Sequence, residues 1–172
     1  MFILSGCDVY SLQNLSDKKQ EENNQGLVTN GNNAHEENMN YAEEALIKYF
    51  SLLNEEKFNE AAQYYGGDYE TLRGFNPSVD PDDHSELFLK ACRYSGLNCL
   101  KVKNIVNKKE ISPTEFEFSI QFLGRNGDVF ESGPCCGEVE NEENFPMRTD
   151  FTFRVKKIGD KFVVMSLPVY TP

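Results

Sequence analysis

The chain has 172 residues, which suits one domain and a tail. It carries 28 acidic and 17 basic residues, a formal net charge of −11, which argues against the clustered positive surface that nucleic acid or an anionic membrane face requires. No apolar run reaches the roughly 18 residues of a transmembrane helix, while 13 Phe and 8 Tyr, with no Trp, supply apolar material for a core.

The first element in chain order is Leu4-Ser5-Gly6-Cys7. A small residue precedes the cysteine and an aliphatic residue stands three positions upstream of it. These four residues resemble a bacterial lipobox. The resemblance implies that residues 1–7 end a lipoprotein signal peptide and that the Cys7 thiol takes diacylglycerol, with palmitate among its acyl groups. It implies an extracytoplasmic protein, lipid-anchored to the bacterial cell membrane. One acyl chain holds a protein only marginally, whereas two or three hold it stably. A full secretory signal also has a charged region and about 7–15 apolar residues. Only Met1-Phe2-Ile3 stand ahead of the box, so the expectation is a start further upstream or a longer precursor. Of five cysteines, Cys7 is the odd one. Cys92, Cys99, Cys135 and Cys136 remain as an even set, as an oxidising compartment favours.

Residues 8–39 read as a disordered polar tether. From Gln13 to Asn38 the chain is dominated by Asn, Gln, Glu, Lys and Ser, without aromatics. Such a composition buries too little apolar surface to offset the entropy of ordering it. As a coil of about 30 residues it would reach roughly 30 Å.

The domain is expected over residues 40–172. Tyr41, Ala42, Ala45, Leu46, Tyr49, Phe50 and Leu53 recur at helical spacing. Asn54 can end that helix and cap a second, whose stripe is Phe58, Ala61, Ala62 and Tyr65. Gly66-Gly67 stops it, and Asp68 to Leu72 adds a short turn. Asp80-Pro81-Asp82-Asp83 predicts a third helix, with Asp80 as its cap, Pro81 in its first turn and His84 at the surface. Leu87, Phe88, Ala91 and Cys92 mark its inner face, and Gly96 closes it.

The period then changes from 3.6 to 2. Strands are predicted over Leu100–Lys108, over the alternating Phe116, Phe118, Ile120 and Phe122, and through Thr149, Phe151, Phe153 and Val155. Gly124-Arg125-Asn126-Gly127 reads as a hairpin turn into Asp128–Glu131. An acidic insertion, Ser132–Phe145, follows. Gly159-Asp160 turns the chain into Phe162–Leu167, and Pro168–Pro172 end it. Helices first and hairpin-linked strands after them indicate an α+β domain: three N-terminal helices packed on a curved antiparallel sheet of four or five strands.

The helix–loop–helix "YAEEALIKYFSLLNEEKFNEAAQYY", a third helix, and a meander ending in "FTFRVKKIGDKFVVMSLPVY" resemble the nuclear transport factor 2-like superfamily over residues 40–172. The resemblance implies a cone-shaped fold, common in bacterial lipoproteins. Some members are ketosteroid-isomerase-like or dehydratase-like enzymes and many are non-catalytic, so the fold does not decide the function.

The four domain cysteines allow three connectivities. A bond between the neighbours Cys135 and Cys136 would be strained, so the expected pairing joins each of Cys92 and Cys99 to one of them, closing loops of about 40 residues worth roughly 3–4 kcal/mol each. A local Cys92–Cys99 bridge is the other disulfide arrangement. A four-thiolate zinc site lacks its usual close cysteine pairs, and no Cys-x-x-Cys suggests a redox dithiol. No metal or cofactor is expected. With His35 in the tail, no Ser-His-Asp or Cys-His set assembles. The acids that could line a cone cavity are Asp68, Glu117 and Asp150, with Tyr49, Tyr64 and Tyr65 as neighbours. If the cone is open, Phe118 and its stripe would line an apolar pocket. "GEVENEENF" lacks the regularity of a calcium loop. A non-catalytic domain that binds a small molecule, an envelope component or a protein, with dimerisation possible, is the first expectation. An enzyme using a buried carboxylate is the second.

Overall fold

The computed structural model describes residues 29–133 and 147–171, with side chains from Ala34 onward. The lipobox, Cys7, Cys135, Cys136 and most of the acidic insertion lie outside these residues. Among the described residues four helices precede the strands: α1 (Thr29–Asn54), α2 (Phe58–Ala61), α3 (Glu70–Phe75) and α4 (His84–Tyr94). A 3-10 turn, Ala62–Tyr64, continues α2. The strands are β1 (Leu97–Asn98), β2 (Val102–Ser112), β3 (Glu115–Phe122), β4 (Phe151–Ile158), β5 (Lys161–Val164) and β6 (Val169–Tyr170). The chain is α+β: helices pack on a four-stranded antiparallel meander ordered β2-β3-β4-β5, and β1 pairs with β6 beside it.

The core forms where the two periodicities meet. Ala42, Leu46, Tyr49, Phe50 and Leu53 make one buried stripe of α1. Phe116, Phe118, Ile120 and Phe122 of β3, with Phe151, Phe153 and Val155 of β4, bury the facing side of the sheet. The ring of Phe50 meets Phe122 and Phe153 edge-on at centroid distances of 4.9 and 4.8 Å, the arrangement aromatic quadrupoles prefer. Outward positions carry Glu115 and Glu117 opposite Lys156 and Arg154, so the solvent side of the sheet pairs opposite charges across strands.

Several expectations change. Helix α1 begins at Thr29, inside the stretch read as tether, so that reading is corrected over residues 29–39. Its polar side chains find partners on the far end of the sheet. His35 Nδ1 lies 2.9 Å from Glu110 Oε1. Asn38 donates to the Pro113 carbonyl at 3.3 Å, and Lys108 pairs with Glu43. The end of α1 is not closed by Asn54 alone. Glu56 takes a left-handed backbone (φ 58°), and the Lys57 N–H reaches back to the Leu52 carbonyl at 2.8 Å, a Schellman closure with a glutamate where glycine is usual. Lys57, not Asn54, precedes α2.

The third expected helix starts later than predicted. Asp80 accepts from the Asp82 and Asp83 N–H groups and makes a turn with Pro81. Asp83 is the cap, its carboxylate accepting from the Glu86 N–H at 3.0 Å. His84 is half-buried rather than at the surface, stacked on Tyr69 with ring centroids 3.7 Å apart. The turn expected at Asp68–Leu72 is a helix, α3. Strand β2 runs on to Ser112, beyond the expected Lys108. The Gly124–Gly127 turn forms, but Asp128–Glu131 contributes only a bridge between Leu123 and Val129. The terminal Val169–Tyr170, for which the sequence suggested no element, is a strand paired with β1.

Two glycines have a spatial reason. Gly96 adopts φ +80°, and a Cβ there would stand 2.5 Å from the Thr171 carbonyl oxygen of the C-terminal segment. Gly66 donates to the Val164 carbonyl at 2.9 Å and covers the open edge of β5. A Cβ at Gly66 would lie 2.3 Å from Val163 Cγ2.

Candidate functional site

The tyrosine and acid residues singled out from sequence do not converge. Tyr49 and Phe118 are fully buried. Tyr49 lies almost parallel to Tyr65, with centroids 6.1 Å apart, and meets Phe88 edge-on at 6.2 Å. Tyr65 continues the cluster into Tyr69 and Phe88. Phe118 is packed in the core, so the stripe of β3 fills the interior rather than lining an open pocket. The acids are elsewhere. Asp68 is exposed, and its carboxylate accepts from the Glu70 N–H at 3.0 Å where α3 begins. Only its backbone carbonyl meets a tyrosine, accepting from Tyr65 Oη at 2.8 Å. Asp150 is exposed and accepts from Gln121 Nε2 at 2.9 Å. Glu117 faces outward, with Arg154 at 3.6 Å. Among the described residues no charged side chain is buried.

The tyrosines have the electrostatics of a dry cluster. Burial pushes the Tyr49 phenol well above the ordinary tyrosine value. Burial does the same to Tyr65, helped by the negative charge of Asp68. Tyr69 is pushed up to about 12, again by burial, with Arg73 opposing. Tyr49 Oη has no hydrogen-bond partner among the described residues. A buried hydroxyl left unpaired costs about 1–3 kcal/mol. Such a phenol is a proton donor held neutral, but among the described residues no carboxylate is hydrogen-bonded to it to act as a base.

Cys92 and Cys99 are bonded to each other, with Cα atoms 5.6 Å apart. The expected pairing of each with Cys135 or Cys136 is therefore corrected. Gly96 reverses the chain after α4, so the last turn of the helix and the segment after β1 face one another at a sequence separation of only 7. Asn54 donates to the Cys99 carbonyl at 3.1 Å and fastens the end of α1 to the same place.

Among the described residues lies a groove the sequence reading missed. It has a volume of about 600 Å³ and runs between α1, the 3-10 turn and the β4–β5 hairpin. Of the predicted residues only Tyr64 lines it. Its floor is Ala45, Tyr64 and Phe162, and Lys48, Lys157 and Lys161 approach from opposite walls, with Glu44 and Asp160 also in the lining. A signal for it was present in the sequence. The inward series Phe151, Phe153, Val155 continues to position 157, where alternation demands an apolar residue and the chain has Lys157. Among the described residues no group of three or more His, Cys, Asp or Glu is placed to hold a metal ion. Nor is any helix among them long and apolar enough to cross a membrane.

No known protein family matches the chain, and no curated protein matches it.

Proposed function

We propose that this is an extracytoplasmic lipoprotein, anchored through lipid on Cys7, whose domain is a nuclear transport factor 2-like cone used for binding rather than catalysis. The observation that carries the non-catalytic reading is the separation of acids from tyrosines. Phe50, Phe118, Phe122 and Phe153 fill the space between α1 and the sheet. Asp68 and Asp150, the carboxylates an isomerase or dehydratase would draw on, spend their oxygens on a helix start and on Gln121 at the surface. A carboxylate base works only within hydrogen-bond reach of the proton it takes. The cone assignment is supported by the element order, helices followed by a hairpin-linked meander whose apolar face meets α1. The location is supported by Leu4-Ser5-Gly6-Cys7 and agrees with a disulfide at Cys92–Cys99, since such bonds persist in oxidising compartments.

Metabolic labelling with radioactive palmitate tests the anchor. The protein expressed from its own locus is expected to take up label and to fractionate with membranes, and Cys7→Ser is expected to abolish both. Labelling that survives Cys7→Ser, or a wild-type protein found only in the cytosol, would overturn the reading.

A further inference from the structure

We propose that the groove between α1 and the β4–β5 hairpin binds a small soluble anion carried on a flat apolar body, such as an aromatic carboxylate or sulfonate. The inference rests on the binding-domain reading above and supplies its ligand class.

Three observations meet at this place. The first is volume. About 600 Å³ falls within the range of about 300–1,000 Å³ typical of small-molecule sites. The second is the floor, where the largely buried Phe162 and Ala45 and the half-buried Tyr64 line the groove. The third is Lys157. It occupies an inward position of β4, partly buried, directly across from Phe162 in the strand register. Its Nζ lies 5.6 Å from the Phe162 ring centroid. Lys108 pairs with Glu43, Lys57 with Glu55, Lys90 with Glu86 and Arg93 with Glu56, and of the described Lys and Arg side chains left without an ion pair, Lys157 is the partly buried one while the others are exposed. Lys157 makes no ion pair among the described residues, nor do Lys48 and Lys161 on the rims.

An ammonium on a partly buried side chain that makes no ion pair is open to a counter-ion, and an anion seated in the groove would supply a charge-assisted hydrogen bond. The aromatic floor would bury the rest of the ligand, and the ring edge of a bound aromatic group would meet the faces of Phe162 or Tyr64. Glu44 and Asp160 set the limit on charge: they disfavour a polyanion and leave room for a single negative group near Lys157. The net charge of −11 repels an anionic bilayer at long range, so a soluble ligand is the occupant chosen over a lipid headgroup.

The test uses two fluorescent probes with the same aromatic body, anilinonaphthalenesulfonate, which is anionic, and phenylnaphthylamine, which is not. With the folded full chain the sulfonate is expected to bind saturably, to move backbone amide resonances of Ala45, Tyr64 and Lys157, and to bind about tenfold more tightly than the neutral probe. Lys157→Met, which keeps the apolar stem, is expected to weaken the sulfonate about tenfold and leave phenylnaphthylamine unchanged. Lys103→Met, on the opposite edge of the sheet, is expected to change neither, and circular dichroism checks that both variants fold. Equal affinities for the two probes would overturn the proposal, as would insensitivity to Lys157→Met, resonance shifts confined elsewhere, or stronger binding to phosphatidylglycerol vesicles than to the free sulfonate. The palmitate experiment stands apart from these outcomes. A groove that fails together with a labelled Cys7 removes this ligand class and leaves the anchored protein, whereas a groove that succeeds without label removes the anchor.

Discussion

The two ends of α1 belong to one continuous helix but are held by different physics. From Ala42 to Leu53 the helix buries an apolar stripe against aromatic side chains of β3 and β4. Fully burying one such side chain is worth about 1.5–3 kcal/mol. Toward its start Met39 still packs against the core, but polar contacts predominate, with His35 facing Glu110, Asn38 donating to Pro113 and Glu43 pairing with Lys108. Exposed ion pairs of this kind contribute about 0–1 kcal/mol each and weaken with salt. Strand β2 explains the division. On the face it shares with the apolar stripe of β3 it carries Val102 and Ile105 opposite Phe122 and Ile120, but Lys108 and Glu110 opposite Phe118 and Phe116. The same helix is thus a core element at one end and a weakly clasped extension at the other, and the lysine-lined groove opens alongside the boundary between them.

The sharpest test of that contrast lies in the apolar half. Phe50→Ala removes a ring packed on Tyr49, Phe122 and Phe153. It is expected to cost about 4 kcal/mol in chemical denaturation. A loss below about 1 kcal/mol would mean that this half is not the anchor of the fold.

The next effect concerns the fastening beyond Asn54. Replacing Cys92 and Cys99 together by alanine is expected to lower stability by about 2.5 kcal/mol, the loop entropy of so short a bridge. Non-reducing peptide mapping should recover the Cys92–Cys99 pair, and a map that joins either residue to Cys135 or Cys136 would refute the connectivity.

Tyr49 is the polar exception of the apolar half. Tyr49→Phe removes the unpartnered hydroxyl without changing shape, and a gain of about 1 kcal/mol is expected. The tyrosine cluster also sets an alkaline limit. Tyr49, Tyr65 and Tyr69 hold their protons in the folded chain above the ordinary value near 10. Below about pH 10 both states are neutral and the full contribution is present. As pH rises further the unfolded chain ionises first, so stability falls from about pH 10 through the Tyr69 value of about 12 and beyond. Melting temperatures between pH 9 and 12 check this, and a flat profile would contradict a dry cluster.

The smallest effect is expected at the polar end. His35→Ala with Lys108→Ala should cost less than about 1 kcal/mol globally. It should nevertheless speed amide hydrogen exchange over residues 35–41 while leaving residues 46–53 protected. Uniform exchange along α1 would erase the distinction between its ends.

The fold class was legible in the chain because its signals are local. A period of 3.6 through Leu46 and Phe50, and a period of 2 through Phe116 to Phe122, state which face of each element is apolar without reference to any distant residue. The candidate site was not legible in that way. Asp68 and Asp150 have the residue types of catalytic groups, but their roles depend on which backbone amide or side chain folding brings beside them.

The sequence by itself determined the α+β class, with helices ahead of an antiparallel meander, and the aromatic core, since burial of apolar area follows from periodicity. Only the tertiary structure decided that Cys92 closes on Cys99, that α1 extends back through His35, and that Lys157 stands beside the Phe162 ring in the wall of a groove. Each of these rests on a contact whose partner is chosen by chain reversal or by packing. His35 and Glu110 are 75 residues apart, and no local pattern in either segment names the other.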